Sequence, residues 1–220
     1  MSTVLERELS QLREQLLLMG DKTEEAIKQA TRALVEHDLD LARRVIAGDD
    51  VIDAMELEIE WACMRVLALR SPEARDLRFV MAVNRLIPIL ERIADHGCNL
   101  AQTALALGPV PKLETNPDFL KMSRIVCEML RASLDSFAAS DAAAARAVID
   151  RDDAVNELYD RIFHHLLAEM SRDPSVTNHA ARLVLVAKHL ERVGDYITDI
   201  CEQIVYLKEA RVIKHQRLST

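Results

Sequence analysis

Two short segments carry the residue types most capable of chemistry, Glu91-Arg92-Ile93-Ala94-Asp95 and Glu191-Arg192-Val193-Gly194-Asp195, placed 100 residues apart. In each, two carboxylates stand at i and i+4, which on a helix sets them about 6 Å apart on one face. Like charges at that spacing repel by a few tenths of a kcal/mol, so the arrangement calls for a compensating cation or basic surface. Carboxylates of this kind, backed by others on a neighbouring helix, suit hard cations such as Mg, Mn, Ca or ferric iron. Asn99 and Asp199 continue the two rows one turn further. Upstream, Asp49 and Asp53 are matched at a shift of 103 by Asp152 and Asn156, while Glu56 and Glu60 extend the acidic face of the first pair. The candidate metal ligands are therefore Glu91, Asp95, Asn99, Asp49 and Asp53 in one half, and Glu191, Asp195, Asp199, Asp152 and Asn156 in the other.

Other chemistry has less support. A di-iron carboxylate enzyme needs Glu-x-x-His pairs facing a bundle interior, yet none of the seven histidines follows a Glu by three residues. His164-His165 and His189 lack any mark of an activated imidazole, and there is neither a glycine-rich phosphate loop nor a GxSxG turn. No catalytic residue is assigned, and the chain reads as a non-enzyme; a carboxylate-bridged metalloenzyme on the same acids is the alternative. The four cysteines show no paired spacing, so they read as reduced thiols packed like small apolar residues, Cys98 beside Glu91 included.

The elements that hold these acids must be helices. Of the 220 residues half are hydrophobic, only 4% are aromatic, and there are just 5 Gly and 6 Pro. With so few breakers the chain divides into six long helices, roughly 4 to 36, 39 to 70, 74 to 107, 117 to 139, 142 to 170 and 175 to 210. Helices of about 32 residues span about 48 Å and suit an elongated bundle. Turns fall at Ser71-Pro72 and Asp173-Pro174, and the Pro- and Gly-rich stretch at 108–117 is the natural linker. The expected organisation is a first three-helix repeat over 1–108, a linker at 109–116, a second repeat over 117–212 and a tail at 213–220.

Both third helices show an apolar seam. Leu183, Val186, Leu190, Val193, Ile197, Ile200, Ile204 and Leu207 step by three and four, and Leu86, Leu90, Ile93, Gly97, Leu100 and Ala104 keep the same register. Glu191, Asp195 and Asp199 lie roughly 100° to 180° around the helix from Leu190, away from the seam and toward solvent. Antiparallel packing across Ser71-Pro72 would turn the acids of the second and third helices into one groove. The repeats differ at Pro88, which removes a backbone donor one turn before Glu91 and should kink its helix; Lys188 stands at the equivalent place.

A net charge of −8, from 28 basic and 36 acidic residues, disfavours direct binding to nucleic acid or anionic lipid. The N-terminus has early acids and no apolar signal core, and no uncharged run of membrane-spanning length occurs, so the chain is expected in the cytoplasm.

With its two E-R-[IV]-[GA]-D segments, Ile52-Asp53, Ala74-Arg75-Asp76-Leu77-Arg78 and Leu17-Leu18-Met19-Gly20, the sequence resembles the PhoU family over essentially its whole length. The resemblance implies an all-α fold of two tandem three-helix repeats, with iron, zinc or a harder ion such as magnesium at the repeated acidic motifs. It also implies a homodimer, peripheral to the membrane only through partners, that contacts the ATPase of the phosphate ABC transporter and a sensor histidine kinase. Such a protein restrains phosphate uptake and phosphate-starvation signalling.

Overall fold

A computed structural model describes residues 2–108 and 116–209. The chain forms α1 (Ser2–Glu36), α2 (Leu39–Arg70), α3 (Ala74–Leu107), α4 (Asp118–Ala139), α5 (Ala142–Ile149), α6 (Asp152–Arg172) and α7 (Thr177–Glu209), with a 3₁₀ turn at Pro174–Val176 before the last. There are no strands among the described residues. The linker assigned to 109–116, save Asn116, and the tail at 213–220 lie outside the described residues.

The duplication is written into the turns. His37 and Ser140, 103 residues apart, both take left-handed backbone with φ of 56° and 52° and end the first helix of each repeat. The next residue is an aspartate in both, and each caps the following helix: Asp38 accepts from the Leu41 N–H, Asp141 from those of Ala143 and Ala144.

One expectation fails. The helix foreseen over 142 to 170 is two helices, α5 and α6, parted at Asp150-Arg151. There the ladder tightens: Arg151 N–H donates to the Val148 carbonyl at 3.0 Å and Ala154 N–H to that of Arg151 at 3.2 Å, i to i−3 in place of i−4. Arg151 is also tied to Glu128 of α4 at 2.6 Å. No Gly or Pro marks the break, so it comes from tertiary contacts. The equivalent Ala47-Gly48 continues α2 without interruption.

The two seams are buried save for the half-buried Leu207, but they do not make two cores. α1 packs on α4 and α3 on α7, so the four helices form a central layer, while α2 rests on α1 and α3, and α6 on α4 and α7. Leu16, Leu86, Leu90, Phe119, Leu183 and Leu190 all belong to one continuous apolar core. Close approach of α1 and α4 depends on Gly20, where a Cβ would sit 2.1 Å from the Leu134 Cδ1. Arg131 grips Glu24 across the same contact with two hydrogen bonds of 3.1 and 2.6 Å.

Between α3 and α7 the meeting point is polar. His96 Nδ1 lies 2.8 Å from His189 Nδ1, and the His96 ring stacks on Tyr196, its own repeat equivalent. Burial depresses both imidazoles, His96 to about 4 with help from His189 and Arg192, so the pair is neutral and one ring donates to the other.

Candidate functional site

The outer helices α2 and α6 each lie along one side of a third helix, creating two equivalent grooves on opposite flanks of the central layer. In the first, acids of α2 and α3 converge as the antiparallel turn at Ser71-Pro72 requires. Glu91 is half-buried, and its carboxyl is pushed up to about 7, first by desolvation and then by the charges of Asp95, Glu56, Asp53 and Asp49. Asp49 is raised mainly by burial, further by Asp53 and Asp95, while the Cys98 thiol donates a hydrogen bond that partly offsets this. Glu56 is raised by burial and then by Glu60, Asp53 and Asp95. Among the described residues none of Asp49, Asp53, Glu56, Glu91 and Asp95 is ion-paired. Cys98 is buried and pushed up to about 12, which keeps it a protonated donor to Asp49 at neutral pH.

The second groove has the same pair of helices, its outer one starting afresh at Asp152, and different electrostatics. Lys188, three residues before Glu191, sets its Nζ 2.6 Å from that carboxylate and 5.3 Å from the centre of the Tyr159 ring. The α6 positions equivalent to Asp49, Asp53, Glu56 and Glu60 carry Asp152, Asn156, Tyr159 and Phe163, so one acid remains where α2 has four. Asp152 is 2% exposed, accepts from Asn156 Nδ2 at 3.0 Å, and stands in the first turn of α6, where a negative charge is favoured by the helix dipole. Its Oδ1 lies 2.6 Å from where a Cβ on Gly194 would be, which is why the second motif reads Val-Gly-Asp and the first, with Asp49 further out, reads Ile-Ala-Asp. Asp195 is raised by desolvation, then by Glu191 and Asp152, while Lys188 pulls the other way.

Placement corrects the expectation that every acid faces solvent. Asp95 and Asp195 do; Glu91, Glu191, Asp49, Asn99 and Asp199 are half-buried, Asp53 is exposed on α2, and Asp152 is buried. The groove is formed between helices, so angles measured on one helix cannot show its depth. The Lys188–Glu191 ion pair is what sequence reasoning passed over, although its i, i+3 spacing was there to be read. Among the described residues no three His, Cys, Asp and Glu side chains are gathered closely enough to hold a metal ion as they stand. The donors of the first groove still suit a hard cation. They are oxygens from two helices, crowded enough to raise one another's pKa values, with no lysine paired to them among the described residues.

The PhoU domain model matches residues 16–104 and 119–204, once in each repeat. The chain is 39% identical to the phosphate-specific transport system accessory protein PhoU homolog of Aquifex aeolicus over 96% of both chains, and 33% identical to the accessory protein PhoU of Escherichia coli over 94% of this chain and 86% of that one. Crystal structures of PhoU from Pseudomonas aeruginosa (TM-score 0.86, 32% identity) and of the phosphate transport system regulatory protein PhoU from Streptococcus pneumoniae (0.89, 28%) superpose over 94% and 96% of this chain, and over 99% of each of theirs. Two model matches, relatives spanning nearly the full length and the repeated turn-and-groove geometry give one conclusion: the chain belongs to the PhoU family.

Proposed function

We propose that the chain is a non-enzymatic, cytoplasmic regulator of bacterial phosphate uptake and phosphate-starvation signalling. In this reading it is a homodimer that contacts the ATPase of the phosphate ABC transporter and a sensor histidine kinase, and restrains the starvation response when phosphate is plentiful. Its relatives' names support the link to phosphate transport. Among the described residues no helix is long and apolar enough to cross a membrane, which fits attachment through partners.

The observation that carries the reading is the pair of repeat-equivalent acidic grooves in a chain of this family. Glu91 and Asp95 of α3, with Asp49 and Asp53 of α2, would hold a metal ion in the first groove, with Asn99 one turn further along α3. Glu191, Asp195 and Asp199 of α7, with Asp152 and Asn156 of α6, would do so in the second. Iron or zinc, or Mg, Mn or Ca, would neutralise the groove and present positive charge at the surface. Without such a cation these faces repel phosphate.

Two measurements test it. Elemental analysis of the purified protein is compared with that of a variant in which Glu91, Asp95, Glu191 and Asp195 are all changed to Ala; loss of metal is expected, and equal metal content removes the site assignment. A deletion strain should express phosphate-starvation genes in rich phosphate. Unaltered expression, with no binding to transporter ATPase or kinase in pull-downs, removes the regulatory reading.

A further inference from the structure

The outer surface of α2 carries a second feature that the acidic groove does not use. Leu57, Trp61 and Met64 step along it by four and three residues and are 56%, 69% and 43% exposed. Trp61 is the chain's single tryptophan. Beside this stripe α1 and α2 leave an open groove of about 710 Å³, floored by Leu12 and Ala62 and edged by Glu8, Glu14, Glu58 and Arg65.

The bundle does not need the stripe. At a shift of 103 the same positions on α6 are Asp160, His164 and Leu167, and the second repeat holds its outer helix on α4 and α7 with two of the three polar. Leaving a tryptophan and a leucine mostly in water, in only one of two equivalent repeats, marks a surface shaped for an apolar partner. Tryptophan at the centre of a patch ringed by polar groups is the usual anatomy of an energetic anchor.

Charge selects the kind of partner. Arg70 engages Glu8 at 2.8 Å, which leaves exposed Glu14 and Glu58 on the groove edge against a single cation among the described residues, Arg65. Two copies of the chain joined through this face would set acidic edge against acidic edge. An anionic membrane is disfavoured for the same reason. A segment with apolar residues on one side and basic ones beside them satisfies both features, and a helix laid along a two-helix groove is the common way to present them. We propose that the α1–α2 groove is the docking site for a basic amphipathic helix of a partner protein, its apolar side chains seated on Leu57, Trp61 and Met64 and its cations facing Glu14 and Glu58. This goes beyond the regulatory reading and involves no metal.

The full chain is titrated with a labelled 14-residue helical peptide of Leu and Lys, following both peptide anisotropy and Trp61 emission. The expected result is saturable binding with a blue shift. Binding should weaken about tenfold (1.4 kcal/mol) in Trp61→Ser and in the double variant Glu14→Gln with Glu58→Gln. An equal loss of charge on α6, Glu157→Gln with Asp160→Asn, should leave it unchanged. Four results overturn the proposal: equal weakening by the α6 control, the same blue shift with a Leu and Glu peptide, the same shift with zwitterionic lipid vesicles, or a dimer that falls to monomers in Trp61→Ser. The charge variants keep the test decisive should Trp61→Ser fold poorly.

Discussion

The two grooves share a helix arrangement and the Glu and Asp of one motif, and differ in most of what surrounds them. α2 offers Asp49, Asp53, Glu56 and Glu60 to α3, whereas α6 offers Asp152, Asn156, Tyr159 and Phe163 to α7; at the head of the motif one repeat has Pro88 and the other Lys188. The first groove thus accumulates negative charge that no lysine or arginine among the described residues pairs with. The second has its charge met from within, by Lys188 on Glu191 and Asn156 on Asp152. The repeats keep the same helix order, while their charges differ: under the proposed reading the first groove calls for an external cation far more than the second.

The largest effect that would break this contrast concerns metal. Replacing Glu91 and Asp95 by Gln and Asn should lower the affinity for a hard cation by roughly a hundredfold (about 2.7 kcal/mol), against about fivefold for the same change at Glu191 and Asp195. Calorimetric titration with Mn or ferric citrate separates the two, and equal losses would show the grooves to be equivalent after all.

Next comes steric room. Gly194→Ala forces a Cβ onto the buried Asp152 carboxylate. Overpacking of about 2 to 3 kcal/mol, less about 1 kcal/mol gained in helix propensity, gives a net loss of about 1 to 2 kcal/mol in urea unfolding. Ala94→Gly meets no such obstacle; it should cost the propensity difference, about 1 kcal/mol, and up to about 0.8 kcal/mol for the lost buried methyl of Ala94.

The pH dependence is smaller. In chelator-treated protein Glu91 is raised from 4.5 to about 7 by folding. The folded state therefore binds the extra proton; the contribution is fully present below pH 4.5 and is lost as pH rises through about 7. After discount for solvent screening the change is about 1 kcal/mol. Glu91→Gln should flatten it, and an unchanged slope in melts from pH 4.5 to 8 would count against crowding in the first groove.

Smallest is the effect of the cation the second groove supplies itself. Lys188→Ala should tighten metal binding there by about twofold, the scale of about 0.5 kcal/mol expected for a partly exposed ion pair. Pro88→Lys should weaken binding in the first groove by a similar factor.

Much of this was legible before any coordinates. The boundaries of α2 and α3 follow from Pro72, the breakers after Leu107 and the apolar period, and convergence of the two helices' acids followed from the short turn joining them. The parting of α5 from α6 was not legible, because it rests on Arg151 reaching Glu128 and on Asp152 turning inward, contacts across more than 20 and 40 residues that no local period encodes. For the same reason Asp152 looked like a copy of Asp49. Its burial depends on Gly194, a residue on another helix. Two apolar seams were visible as well, but nothing within either stripe says that they face each other.

That shared core bears on how such a chain could have arisen. α1 meets α4 and α3 meets α7, so each helix of the central layer packs against its own repeat counterpart. A surface that binds its own copy in this way is what a twofold dimer buries. A solitary three-helix unit would leave its α1/α3 face in water. Paired with an identical copy it would bury that face, and within one chain the two members need not be identical, so one flank can gather charge while the other loses it.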